Sequence, residues 1–361
     1  MPILQIRLRP ECLKTVIANL PDTAPAIVAI PARNEEQLFP ALLEALCALD
    51  VQGGRLIVCI YLDSCSDGSE TLLRQAAGRL PFELVIASSP TQHAENAGAA
   101  RRAAMAMALS VLGDAEGLLF TTDADSRPHH DWIRAGYAAL VQADAVAGRI
   151  VRRNGSADPA QCRIEAYYDR LYRYRRLLDP IPWEARDTHH FTGGANMAFR
   201  ASAYRALGGF PALPSGEDAT ILDEAARAGL RVRRDAAMVV ETSSRRIGRA
   251  ASGLASTLLA LDSGLPPHVA HPGGAAWQWQ AHAAARAAFA TIGSPDVRKS
   301  LAARLDLTAD HVLGVARDCP NAEAFAIRIV PAAPAGFGVV SLAAAEEALS
   351  ALEIGASEIA A

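Results

Sequence analysis

Short apolar runs in the first third of the chain each end abruptly in polar residues. Ala26-Ile27-Val28-Ala29-Ile30 runs into Pro31-Ala32-Arg33-Asn34-Glu35-Glu36, and Leu56 to Leu62 runs into Asp63-Ser64-Cys65-Ser66-Asp67-Gly68-Ser69. Glu83 to Ala87 is a third run, and Leu118-Leu119-Phe120-Thr121-Thr122 leads straight into Asp123-Ala124-Asp125-Ser126. Continuous apolar runs of this length predict strands buried on both faces. Helical spacing fills the gaps: Leu42, Leu43, Leu46 and Leu49 after the first run, and an Ala-rich stretch from Asn96-Ala97-Gly98 to about Leu112 before the Leu118 run. Strand and helix alternate over short links, which predicts an α/β fold with a mostly parallel central sheet flanked by helices. Asn34 with Gln37, and Asp67 with Glu70, have the spacing of capping boxes.

The acids at the fourth run carry the first chemistry. In an extended backbone alternate side chains face one way, so Asp123 and Asp125 are expected to point together from a strand end. Ligands of open α/β sheets bind beyond the carboxyl ends of strands. Two hard oxygen donors there suit Mg²⁺ or Mn²⁺ shared with phosphate oxygens, and a turn or helix cap suits the same residues. Asp63 fits a nucleoside contact or a turn acid. Arg101 and Arg102 fall in the first turn of a helix, where cations oppose the dipole. A bound phosphate would reverse that sign; the alternative is that both side chains simply project into water. Gly193-Gly194-Ala195 allows either close backbone approach to a substrate or a tight turn. Ser215-Gly216-Glu217-Asp218 precedes a helical run from Ala219 to Ala228 with Gly229 as its stop. Asp218 at that helix start is either a general base or an acid serving the dipole.

Composition narrows the classes. The chain has 361 residues, 51% of them hydrophobic, and a net charge of −4. That is enough for about two domains or one with an extension. The absence of a basic run argues against nucleic acid as a partner. No apolar segment approaches the ~20 residues of a membrane span, and charges break up the first 20 residues, so no signal peptide is expected. Six cysteines without C-x-x-C spacing suit a reducing compartment. A cytoplasmic protein that does not span a membrane is expected.

Taken in order, Pro31-Ala32-Arg33-Asn34-Glu35-Glu36, Asp63-x-x-Ser66-Asp67-Gly68-Ser69, Gly98-x-x-Arg101, Asp123-Ala124-Asp125, Gly193 to Arg200, Gly208-Gly209-Phe210 and Gly216-Glu217-Asp218 resemble the family 2 glycosyltransferases. The resemblance covers roughly residues 26 to 250 and implies the GT-A fold. It implies that Pro31, Arg33, Asn34, Glu35 and Asp63 hold the nucleoside of a nucleoside-diphosphate sugar. Gly98, Arg101, Gly194 and Ala195 belong to the same substrate site. Asp125 would ligate a divalent metal, Mn²⁺ or Mg²⁺, with Asp123 on ribose or metal. Asp218 would be the base of an inverting, non-processive transfer to an acceptor hydroxyl, with Glu217 beside it. The Q/R-x-x-R-W box of processive members is absent, and Ser244-Arg245-Arg246-Ile247-Gly248-Arg249 stands in its place.

The domain organisation expected is an N-terminal segment 1–25, a glycosyltransferase domain 26–250 and a mainly helical extension 251–361. The domain divides into a nucleotide half, 26–125, and an acceptor half, 126–250. Tyr167, Tyr168, Tyr172 and Tyr174 among many arginines suit a packed helix better than a sugar site. Asn154-Gly155-Ser156 reads as a turn. In the extension, Pro272-Gly273-Gly274 reads as loop, Trp277 to Ile292 and Leu301 to Val315 as helices, 324–330 as strand-like and 342–353 as helical. The extension either covers the acceptor site or makes a homodimer contact. A retaining enzyme acting on a small acid such as a glycerate derivative, and a non-catalytic sugar-nucleotide binder, are the alternatives. A nucleotidyltransferase would want a Gly-rich loop where Pro31 to Asn34 stand.

Overall fold

The computed structural model describes residues 24–51, 54–89, 96–153, 159–243 and 267–360. Arg245, Arg246 and Arg249, the turn at 154–156 and nearly all of the N-terminal segment lie outside them. In chain order the elements are β1 (Ala26–Ala32), α1 (Phe39–Cys47), β2 (Leu56–Leu62), α2 (Ser69–Ala77), β3 (Glu83–Ser88), α3 (Ala97–Leu112) and β4 (Leu118–Thr121). Then come β5 (Arg127–Pro128), α4 (Trp132–Gln142), β6 (Ala145–Arg152), α5 (Pro159–Leu178), β7 (Met197–Arg200), α6 (Ala201–Leu207), α7 (Glu217–Arg227) and β8 (Val232–Thr242). The extension holds β9 (His268–Ala270), α8 (Pro272–Phe289), α9 (Pro295–Leu305), α10 (Ala309–Arg317), α11 (Ala322–Ile329), β10 (Val339–Ser341) and α12 (Leu342–Ala360).

Eight strands form one sheet in the order β3-β2-β1-β4-β7-β6-β8-β5. The first four are parallel, with Ala26 opposite both Leu56 and Leu118. β7 runs antiparallel to β4 and β6, and β6 pairs parallel with β8. Alternation along β1 divides the core: Val28 and Ile30 join Phe39, Leu42, Phe120 and Trp132 on one face. Ile27 and Ala29 join Met105, Leu119, Phe199 and Phe210 on the other. Burial on both faces is why these strands read as unbroken apolar runs. The parallel strands put the loops after Ala32, Leu62 and Thr121 on one sheet edge.

Several local expectations are corrected. Asn34 does not cap α1; Leu38 precedes that helix without a side-chain bond. Asn34 has φ 54° and accepts from the Ser66 backbone N–H at 2.8 Å. Asp67 likewise serves no capping box with Glu70. It accepts from the Ser69 and Glu36 N–H groups, and Glu70 pairs with Arg74. Polar ends of two strands bond across to each other here, which competes with local capping. Pro272 to Gly274 is the first turn of α8, with Pro272 at the helix start and His271 accepting from Gly273 N–H. The run from Leu301 to Val315 is broken at Asp306, which adopts φ 55°. Residues 324–330 are not strand: Asn321 caps α11 by accepting from Ala324 N–H at 3.0 Å, and Phe325 and Ile329 bury one turn apart.

The extension packs on two helices of the sheet domain. Arg163 and Arg170 of α5 pair with Glu346 and Glu353 of α12. At α7, Asn321 Nδ2 donates to Gly229 O at 2.8 Å and Arg328 Nε to Arg227 O at 2.7 Å. These bonds satisfy carbonyls that the end of α7 leaves open. Asn321→Ala removes both this bond and the α11 cap. It should cost about 1–2 kcal/mol, read as a lower urea midpoint. An unchanged midpoint would deny the contact any stabilising role.

Candidate active site

The site is organised by a buried cation. Arg101 is the fifth residue of α3, one position past the first turn expected for it, 6% exposed, neither in solvent nor open toward a phosphate. Its Nε donates to Glu217 Oε1 at 3.1 Å and its Nη2 to Asp123 Oδ1 at 3.0 Å. Its Nη1 donates to Thr121 Oγ1 at 3.2 Å and to Gly194 O at 2.9 Å. Burial works against the charge. Asp123 and Glu217 more than offset it, so the guanidinium pKa rises above its ordinary value. Four segments distant in sequence therefore meet on one planar fork: α3, the end of β4, the loop before β7 and the start of α7.

The start of α3, from its cap Asn96 to Arg102, fixes the loop leading to α7. Asn96 caps α3 through Ala99 N–H and donates from Nδ2 to Ala212 O at 3.3 Å. Gly98 N–H donates to Leu213 O at 3.0 Å, and a Cβ on Gly98 would sit 2.5 Å from Pro211 O. Gly98 is thus a backbone packing point between α3 and this loop. Arg102 donates to Phe210 O at 2.7 Å.

Gly194 is small for a specific reason: a Cβ there would lie 2.4 Å from Arg101 Cζ. The close approach is to Arg101, with Asn196 N–H closing a turn onto Gly193 O and Ala195 buried behind it. Gly194 N–H donates to Asp218 Oδ2 at 2.9 Å, and Ala219 N–H to Asp218 Oδ1 at 2.7 Å. Gly194 therefore joins Asp218 to Arg101, with its N–H on one and its carbonyl on the other. Glu217, beside Asp218, is turned inward and 3% exposed.

The two acids after β4 are not placed by strand alternation. β4 ends at Thr121, and Ser126 N–H closes a turn onto Asp123 O at 3.1 Å. Asp123 is turned to Arg101. Asp125 accepts from Ser126 Oγ at 3.4 Å and Thr242 Oγ1 at 3.5 Å. Among the described residues, no group of three or more His, Cys, Asp or Glu side chains could hold a metal on its own.

On the same edge, the loops after β1 and β2 are bound together. Arg33 pairs with Asp63 at 3.6 Å, and Asp63 is buried beside Ser64, whose φ is 57°. Glu35, also buried, donates its N–H to Ser69 Oγ at 3.1 Å. Pro31 lies half-buried near the end of β1, opposite Tyr61.

Sequence reasoning gave no role to a second cluster, where α5 meets the loop before β7. Asp169 of α5 accepts from His190 Nδ1 at 2.8 Å and from Arg149 Nη1 at 3.0 Å. Burial raises the Asp169 pKa, but the His190 bond and the charges of His190 and Arg149 bring it below the ordinary value. His190 stacks on Phe191 with ring centroids 4.1 Å apart. Its neighbour His189 points inward; burial, then Arg234 and Arg149, push its pKa down to about 3. The adjacent rings thus part, since neighbouring side chains in extended backbone point to opposite sides. Asn196, just before β7, accepts from Trp132 Nε1 and donates to Arg149 O of β6 and Met238 O of β8, which ties the entry of β7 to those two strands. The tyrosines pack as a helix face: Tyr167 and Tyr174 are buried, and Tyr167 donates to Ala270 O at 2.7 Å.

Residues 27–208 match the family described as glycosyl transferase family 2. The chain belongs to that family, with its GT-A type sheet, and is a glycosyltransferase. No curated protein sequence matches it. Among solved structures it is similar to TarS of S. aureus in complex with UDP-GlcNAc, at 15% identity and TM-score 0.47, over 84% of this chain and 89% of that one. It is similar to the mannosyltransferase PcManGT of Pyrobaculum calidifontis in complex with GDP-Man and Mn²⁺, at 18% identity and TM-score 0.46, over 84% and 85%. It is also similar to glucosyl-3-phosphoglycerate synthase of Mycobacterium tuberculosis with Mn²⁺, UDP and phosphoglyceric acid, at 19% identity and TM-score 0.41, over 70% and 84%. At these TM-scores no residue role passes from them to this chain. No helix among the described residues is long and apolar enough to cross a membrane.

Proposed function

We propose that the site moves a sugar from a nucleoside-diphosphate sugar to an acceptor hydroxyl with inversion, and that Asp218 is the general base. Residues 26–125 then form the nucleotide half and 126–250 the acceptor half. The observation that carries this is the Gly194 link: its N–H holds Asp218 at 2.9 Å and its carbonyl meets Arg101, which also holds Asp123. A base on the acceptor side and an acid on the donor side are thereby fixed about one residue.

In the transfer, Asp218 takes the acceptor hydroxyl proton while that oxygen bonds to the anomeric carbon. The bond from that carbon to the diphosphate oxygen breaks, and the nucleoside diphosphate leaves with the electron pair. Two backbone N–H groups orient the Asp218 carboxylate, and each oxygen keeps a lone pair for the acceptor. Pro31, Arg33, Asn34, Glu35 and Asp63 hold the nucleoside on the edge they share with Asp123 and Asp125.

Asp125, with Asp123 nearby, supplies hard oxygen donors suited to Mn²⁺ or Mg²⁺, the remaining positions falling to phosphate oxygens and water. Such a cation offsets charge on the leaving diphosphate. Thermal-shift titration with nucleoside diphosphates tests the binding, since a ligand of the native state raises Tm with concentration. The shift should require Mn²⁺ or Mg²⁺ and shrink sharply in Asp125→Ala. Equal affinity by calorimetry in excess EDTA would overturn the metal assignment. The anomeric configuration of the product tests inversion.

A further inference from the structure

We propose that Arg127 and Arg153 form an anion-binding pair beside Asp125 that takes the diphosphate of the donor. The proposal rests on the function proposed above and adds residues that neither the family motifs nor the Arg101 cluster includes. Arg127 follows Asp125 by two residues and opens β5. It lies in register with Glu241 of β8, which lies in register with Val151 of β6. Registered residues on neighbouring strands share a face, so Arg127 and Val151 line one side of this sheet edge. Arg153, two residues beyond Val151, donates its backbone N–H to Thr242 O at 3.1 Å. Its Nη2 reaches the backbone carbonyl oxygen of Asp125 at 3.4 Å. Arg152, between them, goes the other way to Glu165 of α5.

Both side chains are half-buried, and the Nε of each is shut off from solvent without an acceptor among the described residues. Arg149, Arg231 and Arg233 of this half have carboxylate partners in Asp169, Asp144 and Asp235, and Arg175 and Arg234, whose Nε atoms are also bare, meet Glu184 and the Tyr172 ring. Glu241, the acid registered with Arg127, is met by His129 at 3.5 Å. Two partly desolvated cations without a described carboxylate partner therefore flank the acid assigned to the metal. An unpaired, partly buried charge is unfavourable until an anion arrives. A diphosphate fits this place. Its charge exceeds what one divalent cation offsets once Asp125 is counted, and guanidinium forks match phosphate oxygens.

The test is calorimetric titration of the full chain, in Mg²⁺, with UDP and GDP and with uridine and guanosine. Arg127→Gln and Arg153→Gln should each weaken the bound nucleoside diphosphate about tenfold and the double variant about a hundredfold, as expected for lost bonds to a charged group. Affinity for the matching nucleoside should stay unchanged, and Arg153→Lys should recover part of the loss because it keeps the charge. An unchanged diphosphate affinity in the double variant overturns the pair. So does an equal loss for nucleoside and diphosphate, or a defect confined to the acceptor concentration needed. Should the unaltered chain bind no nucleoside diphosphate, the proposed function itself fails; should it bind one that the double variant holds equally well, only the arginine pair fails.

Discussion

Asp218→Asn should leave nucleoside diphosphate affinity nearly unchanged and lower sugar transfer by roughly 10²–10⁴-fold, the range for a lost general base. Asn keeps the size and an oxygen that still accepts from Gly194 N–H. Its amide group then turns toward Ala219 N–H, which lies at the surface, so the local cost is small. What disappears is the proton acceptor. Single-turnover release of nucleoside diphosphate from a donor that the unaltered enzyme uses, with affinity measured in parallel, checks this. Transfer at the unaltered rate would make Asp218 a helix-terminal acid only. Loss of affinity together with rate would mean that it touches the donor or holds the loop.

The fold was readable because each parallel strand is buried on both faces and stops where the chain meets solvent. That geometry writes itself as an apolar run with a polar exit. The run at Ala26 and the run at Leu118 sit side by side for this reason. Local capping was less readable. Asn34 and Asp67 have cap chemistry, yet Asn34 bonds Ser66 and Asp67 bonds Glu36 besides the nearby Ser69, so each reaches an opposite loop more than thirty residues away. Spacing along the chain cannot distinguish the two uses of one side chain. The extension misled in the same way: Asp306 breaks a helical run through a left-handed backbone that Asp tolerates, and Asn321 starts a helix in a segment of strand-like composition.

Motif order singled out Arg101, Asp123, Gly194, Glu217 and Asp218, which the structure brings together, while the bonds among them were not readable. Asp123 and Asp125 looked like twins on a strand; the turn closing on Asp123 O separates them, one to Arg101 and one toward Thr242. Gly193-Gly194 suited a close approach to substrate or a tight turn, and the structure shows a turn with Arg101 packed against Gly194. The pairing of His190 with Asp169 could not be read from spacing, because α5 and the loop before β7 meet only in three dimensions.

Arg101→Leu is the prediction with the largest effect on stability. The guanidinium is the charge partner of Glu217, itself 3% exposed, and of the half-buried Asp123. Removing one member of a buried ion pair strands the other, typically at a cost of about 3–5 kcal/mol. Leu cannot bond Gly194 O or Thr121 Oγ1, so the Gly194 peptide also loses its anchor. Arg101→Lys should recover only part of the loss, since one ammonium cannot span four acceptors on a planar fork. Adding Glu217→Gln to Arg101→Leu removes the stranded charge and should restore more stability than it removes in the Arg101 background, the sign expected of coupled sites. Urea unfolding of the four chains measures this, and activity separates the two roles. A double variant that refolds to near-normal stability should still transfer sugar poorly, because Gly194 no longer holds Asp218 against the donor side. A loss below about 1 kcal/mol for Arg101→Leu, the scale of an exposed pair, would show that the cluster does not organise the site.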